Sequence, residues 1–370
     1  MRKTSVMVSL AVLLVVGVAP GRSVEPKQPA LKRLMMADVQ AWKSIRGVVL
    51  SNDGQWLAYR LTPNEGDGEV VLRQVQGEKE LKFPAGEARG IGFFPGIRVS
   101  PDIAFSHDSK WLAFVIRPSS RESRAAQPSG DGRPAASPRP TPRNKVGLIN
   151  VGTGEKVEFE NIRSFAFSGE AGSWLALHKY PPEGRTPALA TPPADGRGPS
   201  PFGPSASPPP VGADLLLHEL ATGSELNLGN VSEFVFDKKG QWLALVIDAQ
   251  GQSGNGVQLR NMTTGALLPL DSAKATYRGL NWTEKGDAFA VLRGTAPKAS
   301  TPQAAAGASG SSPGTADQGG DNRQYVVVGF TDLSDRTPHK VVYDPKNDSN
   351  FPKDMAISSN RSPTWTEDLG

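Results

Sequence analysis

One phrase recurs along this chain, and its recurrence constrains the fold more than any other feature. It reads Val49-Leu-Ser-Asn-Asp-Gly54-Gln-Trp56-Leu-Ala-Tyr59 at its first appearance. It returns as Ile103-Ala-Phe-Ser-His-Asp-Ser109-Lys-Trp111-Leu-Ala-Phe114 and as Phe165-Ala-Phe-Ser168 through Gly172-Ser-Trp174-Leu-Ala-Leu177. It returns again as Phe234-Val-Phe-Asp-Lys-Lys-Gly240-Gln-Trp242-Leu-Ala-Leu245, and in worn form as Gly279-Leu-Asn-Trp282 through Gly286 to Ala288-Phe-Ala-Val291. A sixth unit opens at Pro363-Thr-Trp365. Each full unit is two short apolar runs around a tight polar turn ending in Gly or Ser, the local chemistry of a β-hairpin. Ser or Asp at the first turn position can hydrogen-bond the turn backbone. The Trp-Leu-Ala strand is apolar on both faces, so both faces need cover.

A second hairpin follows each first one. Its leading strands are Val70–Val75, Val146–Val151, Leu215–Leu220, Val257–Met262 and Tyr325–Phe330. Two hairpins per repeat make four antiparallel strands, one blade of a propeller. The expectation is an all-β chain: a β-propeller with five complete four-stranded antiparallel blades and the start of a sixth. Their approximate bounds are 47–83, 102–162, 163–231, 232–274 and 278–344, with the sixth starting at 362–370, so the propeller occupies 47–370.

The Trp markers Trp56, Trp111, Trp174 and Trp242 lie 55, 63 and 68 residues apart. Propeller repeats run about 40–50 residues, so these blades carry insertions. The insertions are residues 117–144, 181–212 and 295–323, between the second and third strands of a blade. They are rich in Pro, Arg, Ser, Ala and Gly and too poor in large apolar residues to fold, and are expected to be disordered. Of the chain's 32 Pro, 20 lie there. Residues 24–46 read as a linker and short helix, with Met35, Val39, Trp42 and Ile45 at helical spacing as a packing stripe.

Arg2 and Lys3 precede an apolar run over Val6–Ala19, followed by Pro20, Gly21 and Ser23. This is the layout of a secretory signal peptide, residues 1–23, and implies export to the periplasm or beyond. The run is shorter than the roughly 20 residues a membrane span needs, and no later stretch is apolar enough to span.

The chain has no cysteine, which excludes disulfides, thiolate metal sites and cysteine nucleophiles. Net charge is +4, with acids and bases interspersed. The densest basic stretch, Arg117 to Lys145, sits among Pro and Ser and reads as a solvated linker, not a nucleic-acid surface. The literal match to a nucleophile elbow, Gly310-Ser-Ser312-Pro-Gly314, lies in the third insertion, where no strand precedes it and no helix follows. Pro313 removes an N–H that an oxyanion hole would use. His107, His178, His218 and His339 show no metal spacing and read as structural or surface groups. Asn230, Asn261, Asn281, Asn347 and Asn360 head glycosylation sequons of the kind chance supplies. The repeated Trp residues read as packing between blades. No catalytic, cofactor or metal residue is expected, and substrate-binding residues are not identifiable.

The hairpin Leu50–Tyr59 resembles the repeat of TolB-like and prolyl oligopeptidase-type propellers. With Asp38-Val-Gln-Ala-Trp42-Lys-Ser-Ile45 before it, it resembles the start of secreted bacterial peptidases of the prolyl oligopeptidase family. That resemblance implies a propeller that caps a C-terminal α/β-hydrolase domain and admits short peptides. It implies that the catalytic Ser, Asp and His lie in that later domain, so none carries over to this chain. The dipeptidyl-peptidase branch holds the substrate amino terminus with an adjacent Glu-Glu pair, which this sequence lacks. Because the sixth unit stops within its first turn, the expectation is a truncated or interrupted reading frame. The expected role is therefore a non-catalytic propeller that gates peptide access and docks on a hydrolase domain. The alternatives are a stand-alone TolB-like propeller that binds a protein partner, or a non-functional remnant.

Overall fold

The computed structural model describes residues 34–40, 42–87, 101–126, 142–182, 212–296, 323–335, 337–353 and 355–366. The expected signal sequence, most of each insertion and the 310–314 motif lie outside them.

Among the described residues nineteen strands form, all paired antiparallel with a sequence neighbour. Blade 1 is β1 (Lys43–Leu50), β2 (Trp56–Pro63), β3 (Asp67–Gln74) and β4 (Glu80–Glu87). Blade 2 is β5 (Ile103–Phe105), β6 (Trp111–Ile116), β7 (Lys145–Asn150) and β8 (Lys156–Phe159). Blade 3 is β9 (Ile162–Phe167), β10 (Trp174–Lys179), β11 (Ala213–Glu219) and the first half of β12 (Glu225–Phe236). The second half of β12 opens blade 4, with β13 (Trp242–Ile247), β14 (Gly256–Asn261) and β15 (Leu267–Ser272). Blade 5 is β16 (Thr276–Trp282), β17 (Phe289–Thr295), β18 (Gln324–Thr331) and β19 (His339–Tyr343). β12 pairs with β11 up to Val231 and with β13 from Val231 onward, so blades 3 and 4 share one seven-stranded sheet.

These are propeller blades: blades 2, 3 and 4 bury both faces against their neighbours in sequence, and blades 1 and 5 bury one face against blades 2 and 4. Four apolar cores lie between the five blades. Along β6, Leu112 and Phe114 enter the core shared with blade 1, while Ala113 and Val115 enter the core shared with blade 3. Along β13, Leu243 and Leu245 face blade 3, while Ala244 and Val246 face blade 5. The strand period of two thus serves two cores from one Trp-Leu-Ala phrase. The Ala of every unit lets the next blade's large residues approach.

Two expectations are corrected. The helix expected over 34–46 is only α1, Met36–Gln40, and Lys43–Leu50 is a strand paired with β2. Ile45, Val48 and Val49 favour extended backbone, and pairing with Trp56–Pro63, broken by a bulge between Arg46 and Val49, gives the segment ladder hydrogen bonds on one edge. Of the helical stripe only Val39 is half-buried; Met35 is 63% exposed, Trp42 56% and Ile45 60%. The first insertion, expected to be disordered, carries helix α2 over Ser120–Ala126. Its first turn is fixed by Ser119 and Glu122, whose side chains each bond the other's backbone N–H, a capping box. The described parts of all three insertions join second to third strands, between β6 and β7, β10 and β11, and β17 and β18. No helix among the described residues is long and apolar enough to cross a membrane.

Candidate functional site

The recurring turns carry the most regular polar chemistry in the chain. The Ser51 hydroxyl accepts the Trp56 N–H at 2.9 Å and donates to Asp53 Oδ1 at 2.6 Å. Ser106 repeats both bonds with Trp111 and Asp108, at 3.0 and 2.6 Å. Ser168 accepts from Trp174 N at 2.9 Å, and Asp237 Oδ1 accepts from Trp242 N at 2.7 Å. In blade 5, Thr283 accepts from Ala288 N at 3.3 Å and donates to Asp287. Each turn is therefore closed by its own first side chain. Hydrogen bonds from Ser51 and from the Gln55 N–H hold the Asp53 carboxyl below its usual value. Asp237 is raised instead, because burial outweighs the backbone N–H groups that it accepts.

The turns line one rim as a belt, and those of blades 1 and 2 and of blades 3 and 4 bond one another. Asn52 Nδ2 donates to His107 O, and Asp53 N donates to Ser109 Oγ. Glu170 N and Ala171 N donate to Lys238 O and Lys239 O. Gly240 is required here: its φ is +74°, and a Cβ would lie 2.1 Å from Ser168 O.

Beneath the belt, polar groups tie blade to blade. Arg60 is buried and donates to Ala85 O at 3.2 Å and Val115 O at 2.6 Å, bridging blades 1 and 2. Burial and the neighbouring Arg117 charge bring its guanidinium down to about 10. The buried Asp271 carboxylate in blade 4 accepts from Tyr277, Arg293 and Lys340 of blade 5 at 2.9, 3.1 and 2.6 Å. Burial opposes its charge, but Lys340 and Tyr277 keep its carboxyl below the usual value. Trp282 Nε1 donates to Val235 O, one residue before the equivalent position in blade 4, at 3.0 Å. Trp365 Nε1 repeats this on Asn281 O at 3.1 Å, and Asn281 Nδ2 donates to Pro363 O. Residues 362–366 form no strand, yet the sixth unit's Trp sits on blade 5 as Trp282 sits on blade 4.

The four histidines do not converge on one site. His107 is in the exposed turn of blade 2, and His339 is exposed on β19. His178 lies between blades 3 and 4, with Nε2 2.8 Å from Val231 O and its ring edge-on to Phe234. Facing a carbonyl, Nε2 carries the proton. Burial lowers its pKa from 6.5 to about 4. His218 lies between blades 2 and 3, edge-on to Phe159 and 3.5 Å from Glu225. Among the described residues, no three His, Cys, Asp or Glu side chains gather in a way that could hold a metal. Trp56, Trp111, Trp174 and Trp242 each pack half-buried on an inter-blade core, as expected of packing groups. The inter-blade ties through Arg60, Asp271 and Trp282 were not legible in the sequence, because they depend on which residues the blade stacking brings together.

No protein-family model and no curated protein matches the chain. Among solved structures, a prolyl endopeptidase is 16% identical over 84% of this chain and 37% of its own, with a TM-score of 0.39. TolB from Acinetobacter baumannii is 11% identical over 80% of this chain and 56% of its own, with a TM-score of 0.30. The hydrazine synthase of Kuenenia stuttgartiensis is 9% identical over 80% of this chain and 64% of its own, with a TM-score of 0.37. The chain thus spans less than two thirds of the length of each.

Proposed function

We propose that this chain is the non-catalytic propeller part of an exported serine peptidase of the prolyl oligopeptidase type. In that role it docks on an α/β-hydrolase domain and restricts access to short peptides. The observation that carries the reading is the Ser51-Asn-Asp-Gly-Gln-Trp-Leu-Ala58 hairpin, which resembles that family's repeat and whose turn and Trp-Leu-Ala strand recur to build stacked blades here. The insertions between second and third strands all leave by the same rim, the one opposite the turn belt. There they would border whatever domain docks on the disc. Export, by way of residues 1–23, would bring the protein to peptide substrates outside the cytoplasm.

The test is activity-based labelling of the exported fraction of the source organism with a fluorophosphonate probe. Antibody against this chain should recover a labelled serine hydrolase, in the same polypeptide or bound to it. Recovery of the chain without any labelled hydrolase sinks the reading and favours a stand-alone partner-binding propeller of the TolB-like kind.

A further inference from the structure

The first strands carry a repeated arginine that the packing of the blades does not use. β1 runs beside β5 and β12 beside β16, whereas no two outer strands approach as closely, so the first strand of each blade lies innermost. Five residues before the first turn residue of its unit stands Arg46 in blade 1, Arg163 in blade 3, Arg278 in blade 5 and Arg361 in the sixth unit. Blades 2 and 4 have Pro101 and Ser232 there. The shared spacing puts the four arginines at the entry end of a first strand. That end lies on the rim where the insertions leave, opposite the turn belt.

Strand pairing is irregular at three of them. Arg163 is the extra residue of a bulge between Ile162, opposite Lys179, and Ser164, opposite His178. Arg46 and Arg278 are the last paired residues before bulges that open with left-handed glycines, Gly47 at φ +58° and Gly279 at φ +75°. A bulge breaks the regular alternation that would send a side chain into an inter-blade core. Arg46, Arg163 and Arg361 are exposed, and Arg278 is half-buried. A Cβ on Gly279 would lie 3.2 Å from Ser362 Cα, so Arg278 and Arg361 sit on neighbouring backbone.

In the two blades without the arginine, the next residue is a carboxylate already committed. Asp102 holds Arg117 at 2.6 Å, and Glu233 accepts from Gly279 N and Leu280 N at 2.6 and 3.1 Å. None of the four arginines makes an ion pair or hydrogen bond among the described residues. Charges of one sign repeated along one rim attract anions, and a guanidinium matches a carboxylate in geometry as well as charge.

We propose that this inner rim binds acidic peptide segments, with Arg46, Arg163, Arg278 and Arg361 taking the carboxylates of a chain laid across it. Four separated cations suit separate carboxylates better than a continuous phosphate backbone. The contact needs no hydrolase domain, so this proposal and the peptidase reading fail separately.

The test is fluorescence anisotropy of a labelled octapeptide of alternating Glu and Ala with the purified chain. The peptide should bind, more weakly as sodium chloride is raised, and its Gln-for-Glu counterpart should not. Arg163→Glu and Arg278→Glu should each weaken binding about five-fold, the scale of an exposed charge pair lost and reversed. Lys285→Glu, an equal charge change at an exposed position of the blade 5 turn, should leave it unchanged. All three variants should keep the wild-type circular dichroism. Absence of binding, equal binding of the Gln peptide, or equal weakening by Lys285→Glu overturns the proposal. So does a single-stranded oligothymidylate that binds more tightly than the Glu peptide.

Discussion

Replacing His178 with glutamine should remove most of an acid sensitivity built into the interface between blades 3 and 4. The imidazole is 2% exposed and donates through Nε2 to Val231 O. Its pKa falls from 6.5 to about 4 on folding, because burial disfavours the charged ring. Between those values the unfolded chain binds a proton that the folded chain does not. Stability therefore falls as pH drops from about 6.5 to about 4 and levels off below. One pH unit is worth about 1.4 kcal/mol, so the loss attributable to His178 is about 3 kcal/mol. Solvent screening removes little of it at a site this buried. Glutamine keeps a donor for Val231 O and does not titrate. Urea unfolding followed by tryptophan fluorescence at several values between pH 7.5 and pH 4 gives the stability of both chains. At pH 7.5 the variant should be the less stable, by about 1 kcal/mol. The gap should close and reverse by pH 4, since other titrating groups cancel in the difference. A gap independent of pH refutes the account of His178.

Three further perturbations test the ties between and within blades. Asp271→Ala leaves the buried Tyr277 hydroxyl and the half-buried Arg293 without their shared acceptor and should cost about 2 kcal/mol in the same unfolding assay, whereas Lys156→Ala, at an exposed ion pair with Glu158, should cost under about 1. Ser106→Ala opens the turn that closes on Trp111 N and should lower stability by about 1 kcal/mol, with Asn in place of Asp108 costing less. Gly240→Ala meets both a positive φ and the Ser168 carbonyl, so a loss of 2 kcal/mol or more is expected, and a neutral result would contradict the packing of the turn belt.

The blades were legible because each unit repeats a local solution. A turn that needs Gly or Ser, a first turn residue that caps it, and a strand apolar on both faces leave few alternatives, and the repetition corrects any one worn copy such as Gly279–Val291. Residues 43–46 were misread as helix because apolar residues at Met35, Val39, Trp42 and Ile45 fit a helix by spacing. Spacing does not register that β2 offers this segment a strand to pair with. The fusion of blades 3 and 4 through β12 was also invisible, since strand continuity past Asn230, at φ +58°, depends on pairing with both β11 and β13. The inter-blade ties of Arg60, Asp271 and Trp282 join residues up to 69 positions apart and follow from stacking, not from local pattern.

The central claim, that this chain contributes blades and not chemistry, is tested most directly by peptide hydrolysis with the purified chain. Fluorogenic prolyl and aminoacyl peptides should show no turnover above buffer, and a fluorophosphonate probe should leave the chain unlabelled. Turnover that the same probe abolishes, with label on a residue of this chain, would contradict the claim.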